Sequence, residues 1–292
     1  MKNSYPWRES FLSAMITLLV LLAGAGPALS EVTPAPTEER PIVDLSVSPM
    51  TKYVWRGQEM SKDSIVIQPS MTVGYKGFTA NLWGNLDTKP YTPTGQSYAG
   101  TLTETDLTFS YSRAFGSVTA GLGYIYYGLA AAHTGVTDPP DSQEVFLTVT
   151  VNKLLSPSLT VYKEIDHYHQ WYFLLGISHA VELGKAVSLK LTASAGYLLS
   201  DDAGMYPKYD SHALATAEKY NNFHEAVITA SLPVSVAKYM TVTPVVSYVF
   251  PLCDDAKYDM QARSQKVAWG GAMPSDGDSS YLYGGITLSF TY

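Results

Sequence analysis

The chain has 292 residues, 46% hydrophobic and 15% charged, with a formal net charge of −7. So much apolar side chain excludes a disordered polymer, and an acidic balance without a basic face excludes nucleic acid as a partner. The single cysteine, Cys253, excludes an internal disulfide framework and any multi-cysteine zinc site.

The N-terminus opens with Lys2 and Arg8, diluted by Glu9, and then runs apolar over 11–26. Ala28 and Ser30 put small residues where a signal peptidase reads them, so residues 1–30 are expected to be a signal peptide cut after Ser30. The competing reading is a permanent anchor, for which the apolar run is short, since a span takes about 20 residues. No other run approaches that length, which excludes a multi-span helical protein. Cleavage leaves 17 basic and 25 acidic residues, a net of −8. Residues 31–40, EVTPAPTEER, read as a flexible periplasmic leader without a core of its own.

From residue 41 to 292 the pattern has period 2, the signature of strands with one apolar and one polar face. Val43, Leu45 and Val47 alternate with Asp44, Ser46 and Ser48; Ile286, Leu288, Phe290 and Tyr292 alternate with Thr287, Ser289 and Thr291. The alternation predicts strands near 42–56, 64–75, 78–87, 103–113, 117–127, 143–152, 158–165, 169–178, 186–199, 223–232, 239–250 and 281–292. Tyr, Thr and Val, all frequent here, favour strands. A soluble antiparallel sandwich would show the same alternation. The links decide against it. Lys76–Gly77 and 114–116 are tight turns, and 152–157, 179–185 and 233–238 are modest. The alternate links at 88–102, 128–142, 200–222 and 251–280 are long and rich in Asp, Pro and Gly, with 166–168 a short exception. Short links on one rim and long links on the other describe an outer-membrane barrel. The fold class is therefore all-β: a transmembrane antiparallel up-and-down barrel of about 12 strands, after an N-terminal signal peptide.

Gly285, Leu288, Phe290 and Tyr292 at the chain end resemble the signal read by the barrel-assembly machinery of bacterial outer membranes. The competing reading is an ordinary last strand. A further resemblance lies in residues 48–87. Tyr53, Trp55, Arg56 and Gly57, then Ser61 and Gln68, then Gly77, then Trp83, Gly84 and Asn85 resemble the opening of the TorF-like porin family of Gram-negative bacteria. Members usually carry Asp before the first aromatic, where this chain has Lys52. The resemblance covers about forty residues by motif and implies an outer-membrane barrel and a porin's role.

No catalytic set is found, and no enzyme activity is expected. Ser178 and His179 are neighbours on a strand and face opposite ways, and no Gly-x-Ser-x-Gly elbow occurs. His167 and His169 with Asp166 have the spacing for a transition metal, but read better as a polar loop tip. Asp276, Asp278 and Ser279 lack the calcium-loop pattern and its closing Glu. No metal and no cofactor is expected. Trp55, Trp83 and Trp171 read as girdle or rim residues in preference to a sugar-stacking platform. Cys253 reads as a solvent-facing loop thiol.

Extending the polar parity along each strand gives the lumen-lining candidates Asp44, Lys52, Arg56, Asp87, Glu104, Asp106, Glu144, Glu164, Asp166, Lys190 and Glu225. Eight acids against three bases leave the lining at −5. Arg56 is either a pore-lining base or an anchor for the first loop. Tyr127, Phe146, Tyr162 and Tyr172 share the inward parity and narrow or block the lumen. The function expected is passive diffusion of small solutes with a mild cation preference. The alternatives are a plugged structural or adhesive barrel and, further off, a lipid-modifying enzyme. The partners expected are outer-membrane lipid and lipopolysaccharide, the assembly machinery and small solutes.

Overall fold

The computed structural model describes residues 40–91, 98–132, 137–268 and 273–292. The expected signal peptide and all of the leader but Arg40 lie outside the described residues.

Twelve strands close into one antiparallel barrel: β1 (Ile42–Met50), β2 (Val66–Tyr75), β3 (Phe78–Asp87), β4 (Thr101–Phe115), β5 (Val118–Leu129), β6 (Ser142–Val151), β7 (Ser158–Glu164), β8 (Gln170–Glu182), β9 (Ser188–Ser200), β10 (Asn221–Ser231), β11 (Met240–Pro251) and β12 (Tyr281–Thr291). Each pairs with its chain neighbours, and β12 returns to β1 with Leu45 opposite Phe290 and Val47 opposite Leu288. β10 breaks at Leu232 and Pro233 and resumes as Val234–Ala237 against β11. Closure leaves no unpaired edge.

The alternation in the sequence becomes two surfaces. Leu45, Leu82, Phe109, Leu122, Leu147, Ile228 and Ile286 lie exposed on the outside. Inside, short polar side chains bond across strands. Ser48 and Thr287 meet at 2.8 Å, Asn81 donates to Ser70 at 2.9 Å, Thr148 and Thr160 meet at 3.0 Å, and Thr229 and Ser247 at 2.8 Å. Lys76 at φ 49 and Gly77 at φ 87 make the two-residue turn after β2. A Cβ on Gly77 would lie 2.5 Å from the Ser112 carbonyl oxygen, so no other residue fits.

Short turns gather at one end of the barrel. The other end carries the loops L1 (51–65), L2 (88–100), L3 (130–141), L4 (165–169), L5 (201–220) and L6 (252–280). Three of the differences from the sequence expectation shape the barrel mouth. The first strand ends at Met50, not near residue 56. Beyond it Val54–Trp55 pairs with Gln58–Glu59 as a separate hairpin. Its tip, Arg56 at φ 45 and Gly57 at φ 77, is a second two-residue turn, and it directs the chain inward. L6 is not an open loop, because it folds into α1 (Asp254–Ala262) and α2 (Gln265–Ala268). Finally, β10 carries a bulge. Ala195 faces Ala226 and Tyr197 faces Phe223, so His224 and Glu225 together oppose Gly196. One extra residue lets two neighbours point to the same side, and both are buried.

Candidate functional site

The site is the upper lumen, at the long-loop end, where L1 and L6 fold into the barrel mouth. The L1 hairpin is held by Arg56. Its Nη1 and Nη2 each donate to one oxygen of Glu144 on β6, both at 2.7 Å. The guanidinium lies 4.2 Å from the ring centre of Tyr172, 4.6 Å from Trp55 and 4.8 Å from Tyr162. Tyr127 donates to the same Glu144 carboxylate at 2.9 Å. A forked guanidinium–carboxylate pair between aromatic faces is the geometry arginine supplies and lysine does not. Gly57 at the tip presses on the bulge: a Cβ there would sit 3.1 Å from Cβ of Glu225 and 3.3 Å from the His224 ring.

The bulge residues hold L6. His224 Nδ1 lies 2.7 Å from Glu225 and its Nε2 3.0 Å from Asp259 on α1. Arg263 Nε donates to the other Asp259 oxygen at 3.0 Å. Burial alone pushes the Asp259 carboxyl up, but Arg263 and His224 outweigh it and hold it below the ordinary carboxylate range. Tyr172 donates to Glu225, and Gly196 leaves room for that carboxylate, since a Cβ there would lie 2.8 Å from it. Met260 of α1 packs with Val249 and Tyr281 of the wall. Tyr172 and Leu198 pack with Tyr206 and Tyr220 of L5.

L1 and L6 are also tied to each other. Glu59 pairs with Lys52 and receives Ser264 Oγ at 3.5 Å. Asp278 accepts from Lys62 of L1 at 3.0 Å and from Lys266 of α2 at 2.9 Å. Burial raises this carboxyl, and the two ammonium groups more than reverse it, leaving it below its ordinary value. Gln58 donates to Tyr206 at 2.9 Å, and Tyr206 donates to Asp259 at 3.1 Å.

The lumen candidates therefore take different places. Glu144, Glu225, Arg56 and Lys52 belong to the ties just described. Glu104 is buried on the inner wall, and Asp106 Oδ1 has no partner among the described residues. Asp87 is buried on the inner wall and accepts from the Lys89 backbone at 3.0 Å. Glu164 is buried at the end of β7 and caps L4, accepting from the backbone of Asp166, His167 and His169. Asp44 accepts from Thr291 at 2.6 Å near the short-turn end, where Lys190 lies opposite Ala180 and Ser231. Asp166 sits on the outer side of the rim instead of the lumen, because its partner Gln143 shares the outward parity of Val145 and Leu147.

Trp83 faces the lumen, not a girdle, with its ring 5.5 Å from Tyr53. Cys253 does not simply face solvent: its Sγ donates to the Phe223 carbonyl at 3.1 Å and accepts from the Ala256 backbone at 3.5 Å, capping α1. Its half-burial pushes the thiol up. The His167 and Asp166 pair spans 3.2 Å, and no group of three or more His, Cys, Asp or Glu among the described residues is placed to hold a metal. Of the terminal residues expected to signal assembly, Leu288 and Phe290 face outward, Gly285 faces inward against the Pro49 carbonyl, and Tyr292 is exposed.

Sequence reasoning missed Glu59, His224, Asp259 and Arg263. The adjacent Asp254 and Asp255 in the first turn of α1 were the available signal, since acids favour a helix start.

Between L1 and the wall a pocket of about 380 Å³ remains, reaching Glu104 and Tyr127 on the wall, Trp55 of L1 and Arg263 of L6.

No family model and no curated sequence matches the chain. Among solved structures, a NanC porin structure is similar at 9% identity over 85% of this chain and 98% of that one, with a TM-score of 0.49. OmpT, an outer membrane protein of Vibrio cholerae, is similar at 8% identity over 90% of this chain and 100% of that one, with a TM-score of 0.36. The beta domain of the Bordetella autotransporter Brka is similar at 9% identity over 86% and 98%, with a TM-score of 0.37.

Proposed function

We propose that the chain is an outer-membrane channel of porin type for passive diffusion of small solutes, its mouth narrowed by L1 and L6. The observation that carries this reading is the lower lumen. Below the loops the inner wall is mostly Ser, Thr, Asn and Gly, with Ser46, Ser70, Thr72, Thr108, Ser110, Thr192 and Ser194 on one parity and Ile125 and Phe146 the large side chains among them. A wall of small hydroxyl groups suits water, whereas a barrel closed along its whole length would fill with large side chains. The exposed Leu, Val and Phe of the outer face support contact with lipid acyl chains, and a closed barrel satisfies the backbone polar groups that lipid cannot. The resemblance of residues 48–87 to TorF-like porins agrees with this reading. The same outer face is the surface for outer-membrane lipid and lipopolysaccharide, and the exposed Phe290 and Tyr292 are the feature the assembly machinery would read. No catalytic role is assigned.

The lining favours cations mildly. Arg56 and Lys52 are spent on Glu144 and Glu59. Asp44, Asp87, Glu104 and Asp106 then face the lumen with Lys190 as the remaining base among the predicted lining residues. Walls of one sign concentrate counter-ions.

A second reading is a plugged barrel without transport, favoured by the Arg56–Glu144 clamp and the α1 packing. Planar-bilayer recording of the refolded mature chain separates the two: steps of constant conductance support the channel, and silence supports the plug.

A further inference from the structure

We infer that the pocket between L1 and the wall binds a small zwitterion of dipeptide size, its ammonium toward Glu104 and its carboxylate on Arg263. The inference rests on the channel reading for its biological sense, since the pocket stands at the mouth of the path, but binding there is measurable without passage. At about 380 Å³ the space is within the range of small-molecule sites.

Its lining carries one acid and one base, and they differ in setting. Glu104 is 5% exposed and stands on the same inward parity as Asp106. It is the one carboxylate of the lining, the charge opposite to an ammonium group. Trp55 and Tyr127 stand beside it, their rings 6.3 Å apart and near perpendicular, and aromatic faces welcome an ammonium group. Arg263 spends Nε on Asp259 and stacks 3.9 Å above the Tyr206 ring. Its two terminal nitrogens make no hydrogen bond among the described residues, so a carboxylate can take both in the forked geometry.

A third group of the lining calls for a hydrogen-bond donor on the ligand. Gln170 lines the same pocket, is 3% exposed, and its Oε1 has no partner among the described residues. A buried acceptor without a donor is costly, and a peptide N–H supplies one. An amine alone would face Arg263 with like charge, and an acid alone would face the Glu104–Asp106 pair in the same way.

Calorimetric titration of the full mature chain in detergent with alanyl-alanine, N-acetyl-alanyl-alanine and alanyl-alanine amide tests the inference. Saturable binding of the free dipeptide is expected, with each blocked form weaker by about tenfold, the loss of one charge-assisted contact. Arg263→Gln should abolish the preference over the amide, and Glu104→Gln the preference over the acetylated form. Because Arg263 also braces α1, the blocked ligands on the unaltered chain are the primary reading. No saturable binding, equal binding of all three, or preference for a blocked form would overturn it. Binding with a silent bilayer would overturn passive diffusion alone, and conduction without binding would overturn this inference alone.

Discussion

Arg56, at the tip of an inturned hairpin, meets Glu144 on the wall through two parallel hydrogen bonds of 2.7 Å. Side-chain exposures of 7% and 2% take the pair out of water. Its desolvation is offset by the forked geometry, the Tyr127 hydroxyl and three aromatic faces. Removing one partner leaves an uncompensated buried charge, at a cost of about 3–5 kcal/mol. Arg56→Gln should therefore free L1 and give larger, noisier conductance steps, with Glu144→Gln close behind. The double variant should recover part of the lost thermal stability. Steps identical to the parent's in both single variants would show that L1 does not gate the path.

α1 is held by a second set, Glu225, His224 and Asp259 buried and Arg263 half-buried. Asp259→Asn keeps the shape and removes the charge that faces both His224 and Arg263. Limited proteolysis should then cut within L6 while the barrel stays intact, visible as unchanged heat-modifiable migration on a detergent gel. Unchanged protection of L6 would mean that Met260 packing alone holds the helix.

The barrel was legible in the sequence because the strand period is 2 and the link lengths alternate, and neither needs tertiary information. Lys76–Gly77 was readable as a turn for the same local reason. The inturned hairpin was not, since Val54 and Trp55 continue the apolar-aromatic run of β1 and hide the break after Met50. The β10 bulge shifts parity by one residue, and nothing local in Phe223-His224-Glu225 marks it; the residue it opposes, Gly196, is on the neighbouring strand. Trp83 was misplaced because a Trp near a strand end suits a girdle as well as a lumen. Charge counting overstated a free acidic lining, because Glu144 finds Arg56 of L1 and Glu225 finds the adjacent His224 and Tyr172 of β8.

Asp278 makes the mouth sensitive to acid. Its carboxyl is held below the ordinary value in the folded chain, so its tie to Lys62 and Lys266 is complete above the unfolded value of about 3.9 and is lost as pH falls through the folded one. Open-channel noise should rise as pH falls below the ordinary carboxylate range, where the folded carboxyl takes up its proton. Asp278→Asn should show the raised noise already at neutral pH, and the difference between the two proteins should vanish in acid. A difference that persists in acid would assign the noise to another group.

Phe290 and Tyr292 face outward at the end of β12 with no inward partner to satisfy. Replacing both with Ser should leave export intact and lower the yield of assembled barrel several-fold. Full yield would reduce the terminal alternation to an ordinary strand.

Single-channel recording of the refolded mature chain across a salt gradient tests the channel most directly. The prediction is discrete ohmic steps with a reversal potential of cation sign. That potential should shrink toward molar salt, where screening shortens to about 3 Å, and should shrink further in Glu104→Gln/Asp106→Asn. A silent bilayer, with the barrel shown to be folded by its heat-modifiable migration, would contradict the channel and leave a plugged barrel.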